Sequence, residues 1–190
     1  MTFHPSRAGI GALAPLALLL AACSAQDSTT ADPATQDNLG RTVATVMAGN
    51  DDLSTFSEAM SQTGLSTMLD GPSSYTVIAP TNEAFAGSDG SEGMLDNDTP
   101  APLLAALLRE HIIPGALTPE SIVEAIEAKG GAVEMRTLGS GTLTFDKDGE
   151  NLVMRTAKGT DARLVSAAMV SNNGVLFPVD QVLVELPKAE

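Results

Sequence analysis

The 190-residue chain has no tryptophan, one tyrosine and one cysteine, and sets only ten lysines and arginines against 24 aspartates and glutamates, a formal net charge of −14. Each scarcity removes a class of function. Phosphate backbones are held by clustered bases, and no basic block occurs, so nucleic acid is excluded as a partner. Five phenylalanines and the single tyrosine are too few to build the stacking platforms that hold single strands or sugar rings. One cysteine permits neither an intrachain disulfide nor a cysteine-based zinc cluster. There is also no Gly-x-Ser-x-Gly elbow, no glycine-rich phosphate loop closed by lysine and no His-Glu-x-x-His. The chain is therefore read as non-enzymatic, with no catalytic residues, no metal site and no cofactor. What is present is an apolar fraction of 43%, enough for a core, in a length that suits one domain of about 100–200 residues.

The N-terminus accounts for the cysteine. A short stretch carrying Arg7 precedes an apolar run over 8–20, and Leu20-Ala21-Ala22-Cys23 follows. This is the layout of a secretory signal, with a basic start, an apolar middle and small residues at the cleavage point. The apolar run is shorter than the roughly 20 residues needed to span a bilayer and is interrupted by Pro15, which disfavours an uncleaved anchor. The four residues resemble the bacterial lipobox. That resemblance implies a signal peptide over 1–22, acylation of the Cys23 thiol with its palmitate-type chains, and Cys23 as the mature N-terminus. Two or more acyl chains hold a protein stably at a membrane where one does not. Residues 24–37 contain no large apolar side chain, so 23–38 reads as a flexible tether from which the domain hangs. Ser24 stands where a retention aspartate would otherwise follow the cysteine. The expected location is thus the outer membrane or a periplasm-facing surface if the source has two membranes.

From residue 39 onward helix and strand signals alternate without an internal repeat. Leu39, Val43, Val46 and Met47 recur at helical spacing, stopped by Gly49. Asp51 or Asp52 is placed to cap a second helix with Leu53, Phe56 and Met60 on one face, ending at Gly64. The β-branched run 75–79, between Pro72 and Pro80, reads as a strand. A Gly, Ser and Asp-rich loop spans 87–102. Leu103, Leu104, Leu107 and Leu108 mark a core helix over 103–111. Thr118-Pro119-Glu120 is a strong helix start, with Gly130-Gly131 as its stop. The runs 133–138, 142–145, 152–156, 163–170, 175–177 and 182–186 then read as short strands, with Asp148-Gly149 at a hairpin. Helices early and an antiparallel sheet late give an α+β fold.

Three blocks carry a resemblance to a family. They are Tyr75-Thr76-Val77-Ile78-Ala79-Pro80-Thr81-Asn82-Glu83-Ala84-Phe85, then Leu107-Leu108-Arg109-Glu110-His111-Ile112-Ile113-Pro114-Gly115, then Ser171-Asn172-Asn173-Gly174-Val175-Leu176-Phe177-Pro178-Val179-Asp180-Gln181-Val182-Leu183. In this order and spacing they resemble the signatures of the fasciclin (FAS1, beta-Ig-H3) domain, over residues 39–187. The resemblance implies a single domain, an antiparallel β wedge or sandwich with helices packed on one side. It also implies a binding module for protein partners in adhesion or the cell envelope, joined to the membrane by the lipid anchor. The motif residues, structural or binding, are Pro80, Thr81, Asn82, Phe85, His111, Pro114, Gly115, Asn173, Gly174 and Asp180. The alternative is a cell-envelope protein that holds an apolar small ligand, a lipid or pigment.

The same residues have readings that need no family. Proline ends the strand at Pro80, and a Thr81 or Asn82 side chain serves the next helix's orphan N–H groups. Phe85 faces the core beside the leucines of the following helix. Asn173-Gly174 suits a tight turn with positive φ. His111 reads as a buried, hydrogen-bonded imidazole whose charge would also favour a helix C-terminus, and a His111–Asp180 pair is the only catalytic arrangement to be imagined. The family's Tyr-His recognition pair is Glu110-His111 here, and its Asp-Ile pair is Ala168-Met169. Asp146, Asp148, Gly149 and Glu150 begin like a calcium loop, but its twelfth position is Ala157. The acids of loop 89–98 read as solvated charge.

Overall fold

The computed structural model describes residues 38–87, 99–149 and 151–183. The expectations for 1–22, for Cys23 and the tether to residue 37, and for the acidic loop 89–98 lie outside these residues. The described elements are helices α1 (Val43–Ala48), α2 (Ser54–Gln62), α3 (Leu65–Leu69), α4 (Asn82–Gly87), α5 (Ala101–Arg109) and α6 (Pro119–Lys129). The strands are β1 (Tyr75–Pro80), β2 (Ile112–Pro114), β3 (Val133–Arg136), β4 (Thr142–Asp148), β5 (Asn151–Thr156), β6 (Asp161–Arg163), β7 (Met169–Val170) and β8 (Gly174–Val179). The fold class is α+β, with two four-stranded sheets in the orders β2-β1-β8-β7 and β3-β4-β5-β6.

The first sheet is the middle layer. Val77, Ala79 and Leu176 face a core formed with α1–α5, where Phe56, Met60, Leu69, Phe85 and Leu108 pack. Ile78, Val175, Phe177 and Val179 face the opposite way, into a second core closed by the second sheet and α6 through Phe145, Met154 and Ile122. A strand covered on both faces has no polar side, which is why 75–80 and 174–179 read as nearly unbroken apolar runs. Within this sheet β1 and β8 run parallel, Val77 opposite Leu176, while the other pairings are antiparallel. The two sheets join at both ends. Leu164 bridges to Val179 at one corner. At the other, the Leu138 and Gly139 N–H groups donate to the carbonyls of Ile112 and Arg109, at 2.7 and 3.2 Å.

Several local expectations are corrected. Leu39 lies outside α1 and is exposed; Thr42 caps that helix, its hydroxyl accepting from the Thr45 N–H. The cap ahead of α2 is Asn50, whose side chain accepts from the Asp52 N–H at the head of a 3-10 turn over Asp51–Leu53. The run 163–170 is two strands, β6 and β7, because the chain turns between the sheets at Leu164. Val182 and Leu183 are buried without strand pairing, and the rest of that run lies outside the described residues. Helix α6 follows the local code at both ends: the Thr118 hydroxyl accepts from the Ser121 N–H, and Gly130 stops it in the left-handed region at φ 72°.

Candidate functional site

The first signature is a junction. Pro80 closes β1 opposite Val179, and the Thr81 N–H donates to the Val179 carbonyl at 3.0 Å. The Thr81 hydroxyl accepts from the Ala84 N–H at 3.2 Å, capping α4. Asn82 serves a different helix: its Oδ1 accepts from the Thr55 N–H at 3.1 Å, and its Nδ2 donates to the Asp51 carbonyl at 2.9 Å. The amide thus fastens the start of α2 to the end of β1. Phe85 packs in the helical core with Leu104 and Leu108.

His111 is 1% exposed. Its Nδ1 contacts the Leu107 carbonyl at 3.2 Å, and its Nε2 accepts from the Leu183 N–H, also at 3.2 Å. A proton on Nδ1 and a lone pair on Nε2 satisfy both contacts. The ring lies 5.5 Å from that of Phe56. Burial drives the imidazole pKa from 6.5 down to about 4, with the Leu107 carbonyl and Glu110 opposing without reversing it. The imidazole is therefore neutral at pH 7 and brings no charge to the end of α5, so the added advantage of a helix-terminal cation is not realised. Just beyond, Pro114 ends β2 and Gly115 takes φ 100°, its carbonyl accepting from the buried Thr76 hydroxyl at 2.7 Å.

The third signature is a second junction. Asn173 Oδ1 accepts from the Val43 N–H at 2.8 Å, and its Nδ2 donates to the carbonyls of Leu69 and Gly71 at 2.7 and 2.8 Å. One buried amide therefore ties the start of α1 and the end of α3 to the mouth of β8. Gly174 does not take positive φ, as the turn reading expected; it is the first residue of β8, where a Cβ would strike the Tyr75 carbonyl of the neighbouring strand. Asp180 accepts from the Arg163 N–H at 2.7 Å, holding the corner between the sheets. Asp180 and His111 thus have separate partners and form no pair.

Glu110 is a structural anchor that no sequence pattern announces. From the end of α5 its carboxylate reaches into the β3–β4 turn. Oε1 accepts from the Ser140 N–H at 2.7 Å, and Oε2 accepts from the Thr137 hydroxyl at 2.7 Å and the Gly141 N–H at 2.9 Å. A Cβ at either Gly139 or Gly141 would collide with this carboxylate. Partial burial works to raise its pKa, but the donors of Thr137, Ser140 and Gly141 together outweigh it and set the group below the ordinary 4.5. The turn and Leu107 of α5 wall a cleft of about 370 Å³, closed on its other side by the β5–β6 turn and Leu183. Asp146 and Asp148 lie along strand β4, not in a loop, and Asp148 pairs with Arg163 at 3.5 Å.

The chain matches the model of the fasciclin domain over residues 51–185. It belongs to the fasciclin family. It is 32% identical over 145 residues to Protein sll1483 of Synechocystis sp., covering 75% of this chain and 72% of that protein. It is 30% identical over 147 residues to human periostin, covering 77% of this chain and 16% of periostin. It is likewise 30% identical over 135 residues to the pig transforming growth factor-beta-induced protein ig-h3, covering 70% of this chain and 18% of that protein. The chain thus corresponds to a small part of these two animal proteins. A solved FAS1 domain pair from the insect cell adhesion molecule fasciclin I superposes with a TM-score of 0.65 at 14% identity, over 77% of this chain and 52% of that one; this likeness is one of fold.

In this fasciclin domain the departure from the family's Tyr-His pair has a structural content. Glu110 faces the β3–β4 turn and His111 the core, so both members bond inside the domain. At the Asp-Ile position, Met169 lies in β7 against the helical core, and its sulfur accepts from the Asn50 amide at 3.9 Å.

Proposed function

We propose that this fasciclin domain is an exported, lipid-anchored binding module that recognises a protein partner at the cell envelope, with cell adhesion as its role. The observation that carries the reading is where the signature side chains point. Asn82, His111, Asn173 and Asp180 each bond backbone groups of another element, so the family's polar motifs build a scaffold and set up no nucleophile, base or acid. Such a scaffold serves by the surfaces it holds out, not by chemistry. Membership of the fasciclin family, with the family model matched over residues 51–185, supports a binding module of this kind, and Leu20-Ala21-Ala22-Cys23 supports the anchor.

The charge fits display away from the bilayer. In a chain of 24 acids against ten bases, a domain of net negative charge is repelled by an anionic surface at distances within the Debye length. Replacing Cys23 by serine in the native host and fractionating the cells tests the anchor. Release of the domain from membranes is expected; a protein that stays membrane-bound with its N-terminus uncleaved overturns the lipid anchor.

A further inference from the structure

The cleft beside Glu110 has an apolar side and a polar mouth. Leu107, Leu143 and Leu183 line the first, and Thr156 at the end of β5 with Lys158 and Thr160 of the β5–β6 turn line the second. Its volume of about 370 Å³ lies near the lower end of the roughly 300–1,000 Å³ of small-molecule sites. That suits one alkyl chain and is too small for a two-chain lipid. Two charges bear on what enters. Glu110 is already taken up by the donors of the Thr137–Gly141 turn, so it offers no free acceptor to a cationic ligand. Lys158 is exposed and has no ion-pair partner among the described residues, in a chain where acids outnumber bases more than two to one.

We propose that this cleft binds a medium-chain alkyl carboxylate, its chain against Leu107, Leu143 and Leu183 and its carboxylate at Lys158 and the hydroxyls of Thr156 and Thr160. The apolar side supplies most of the affinity through area removed from water, and the lysine fixes polarity and sign. Because the site is built from α5, the two turns and Leu183, it stands independently of the membrane anchor and of adhesion.

The test uses the purified full chain with labelled leucine methyls, titrated with decanoate, decanol and decyltrimethylammonium. Decanoate is expected to shift the methyls of Leu107, Leu143 and Leu183 saturably, with decanol weaker and the cation weakest. Ala106→Phe, at an exposed position of α5 on the cleft wall, is expected to abolish the shifts. Lys158→Glu is expected to weaken decanoate by about 2- to 5-fold, the scale of an exposed ion pair, and to leave decanol unchanged. Both substitutions are at exposed sites, and an unchanged melting temperature verifies the fold. No saturable shift at these three leucines, binding that survives Ala106→Phe, or equal affinity for decanoate and decanol would overturn the proposal.

Discussion

His111 Nε2 accepts a hydrogen bond from the Leu183 N–H at 3.2 Å, so the one imidazole of the folded domain pins the closing segment of the chain against the end of α5. The bond needs a lone pair on Nε2, and protonation removes it. Burial and the Leu183 N–H thus act together to keep the ring neutral, against the Leu107 carbonyl, which favours the charged form.

Stability should therefore fall in mild acid. The folded pKa of about 4 lies below the ordinary 6.5, so the unfolded chain takes up the proton first as pH drops. The His111 contribution is complete above about pH 6.5, is lost progressively down to about pH 4, and is level below that. The loss is about 3 kcal/mol at most, since each tenfold difference in proton affinity between the folded and unfolded chain is worth about 1.4 kcal/mol. Urea unfolding at stepped pH measures it, and His111→Gln should flatten the profile in that window. A wild-type profile already flat from pH 7 to 4.5 would show that the ring is not buried neutral.

Glu110 predicts a coupled pair. Glu110→Gln keeps the length but cannot accept from both the turn's N–H groups and the Thr137 hydroxyl; a loss of about 1–2 kcal/mol at pH 7 is expected. Gly141→Ala should also destabilise, because its Cβ meets the carboxylate. In Glu110→Ala the obstruction is gone, so the Gly141 substitution should cost less there than in wild type. Additive losses in a double-mutant cycle would contradict the cradle. Since the Glu110 pKa is depressed, its contribution is present above the ordinary 4.5 and lost as pH falls below that value, on the acid side of the His111 window.

Asn173 is the site of the largest expected single loss. Asn173→Ala strands the Val43 N–H and the carbonyls of Leu69 and Gly71 in the interior, at about 3–5 kcal/mol. Asn173→Asp keeps the acceptor for Val43 but turns an oxygen toward two carbonyls, so it should be no milder. Thermal or urea denaturation settles both, and a near-neutral Asn173→Asp would mean that the Leu69 and Gly71 bonds contribute little.

What could be read from residues alone followed the range of the forces involved. The ends of α6 and the limits of β1 are set by neighbours in sequence, Thr118, Gly130 and Pro80, and are legible there. The splitting of 163–170 is not, because the bridge from Leu164 to Val179 is a tertiary event that strand propensity does not register. Asn50 rather than Asp51 or Asp52 does the capping because three adjacent polar residues offer the same chemistry and only the path of the chain selects one. Gly174 is recognisable as needed but for the wrong reason: its requirement is the approach of the Tyr75 carbonyl on the parallel strand, invisible until β1 and β8 are known to pair. The Glu110 cradle has a partial signal in Thr137-Leu138-Gly139-Ser140-Gly141, a turn rich in small donors. Its guest sits on a helix far away in sequence, which no local pattern names.

In the function proposed above, the domain works at the cell surface, by binding, while anchored. Quantitative cell aggregation in the native host, with the gene deleted and then restored as wild type or Cys23→Ser, addresses it most directly. Deletion is expected to lower aggregation, the wild-type chain to restore it, and the Cys23→Ser chain, exported and folded but released, not to restore it. Aggregation unchanged by deletion, or restored in full by the released form, would contradict the proposed function.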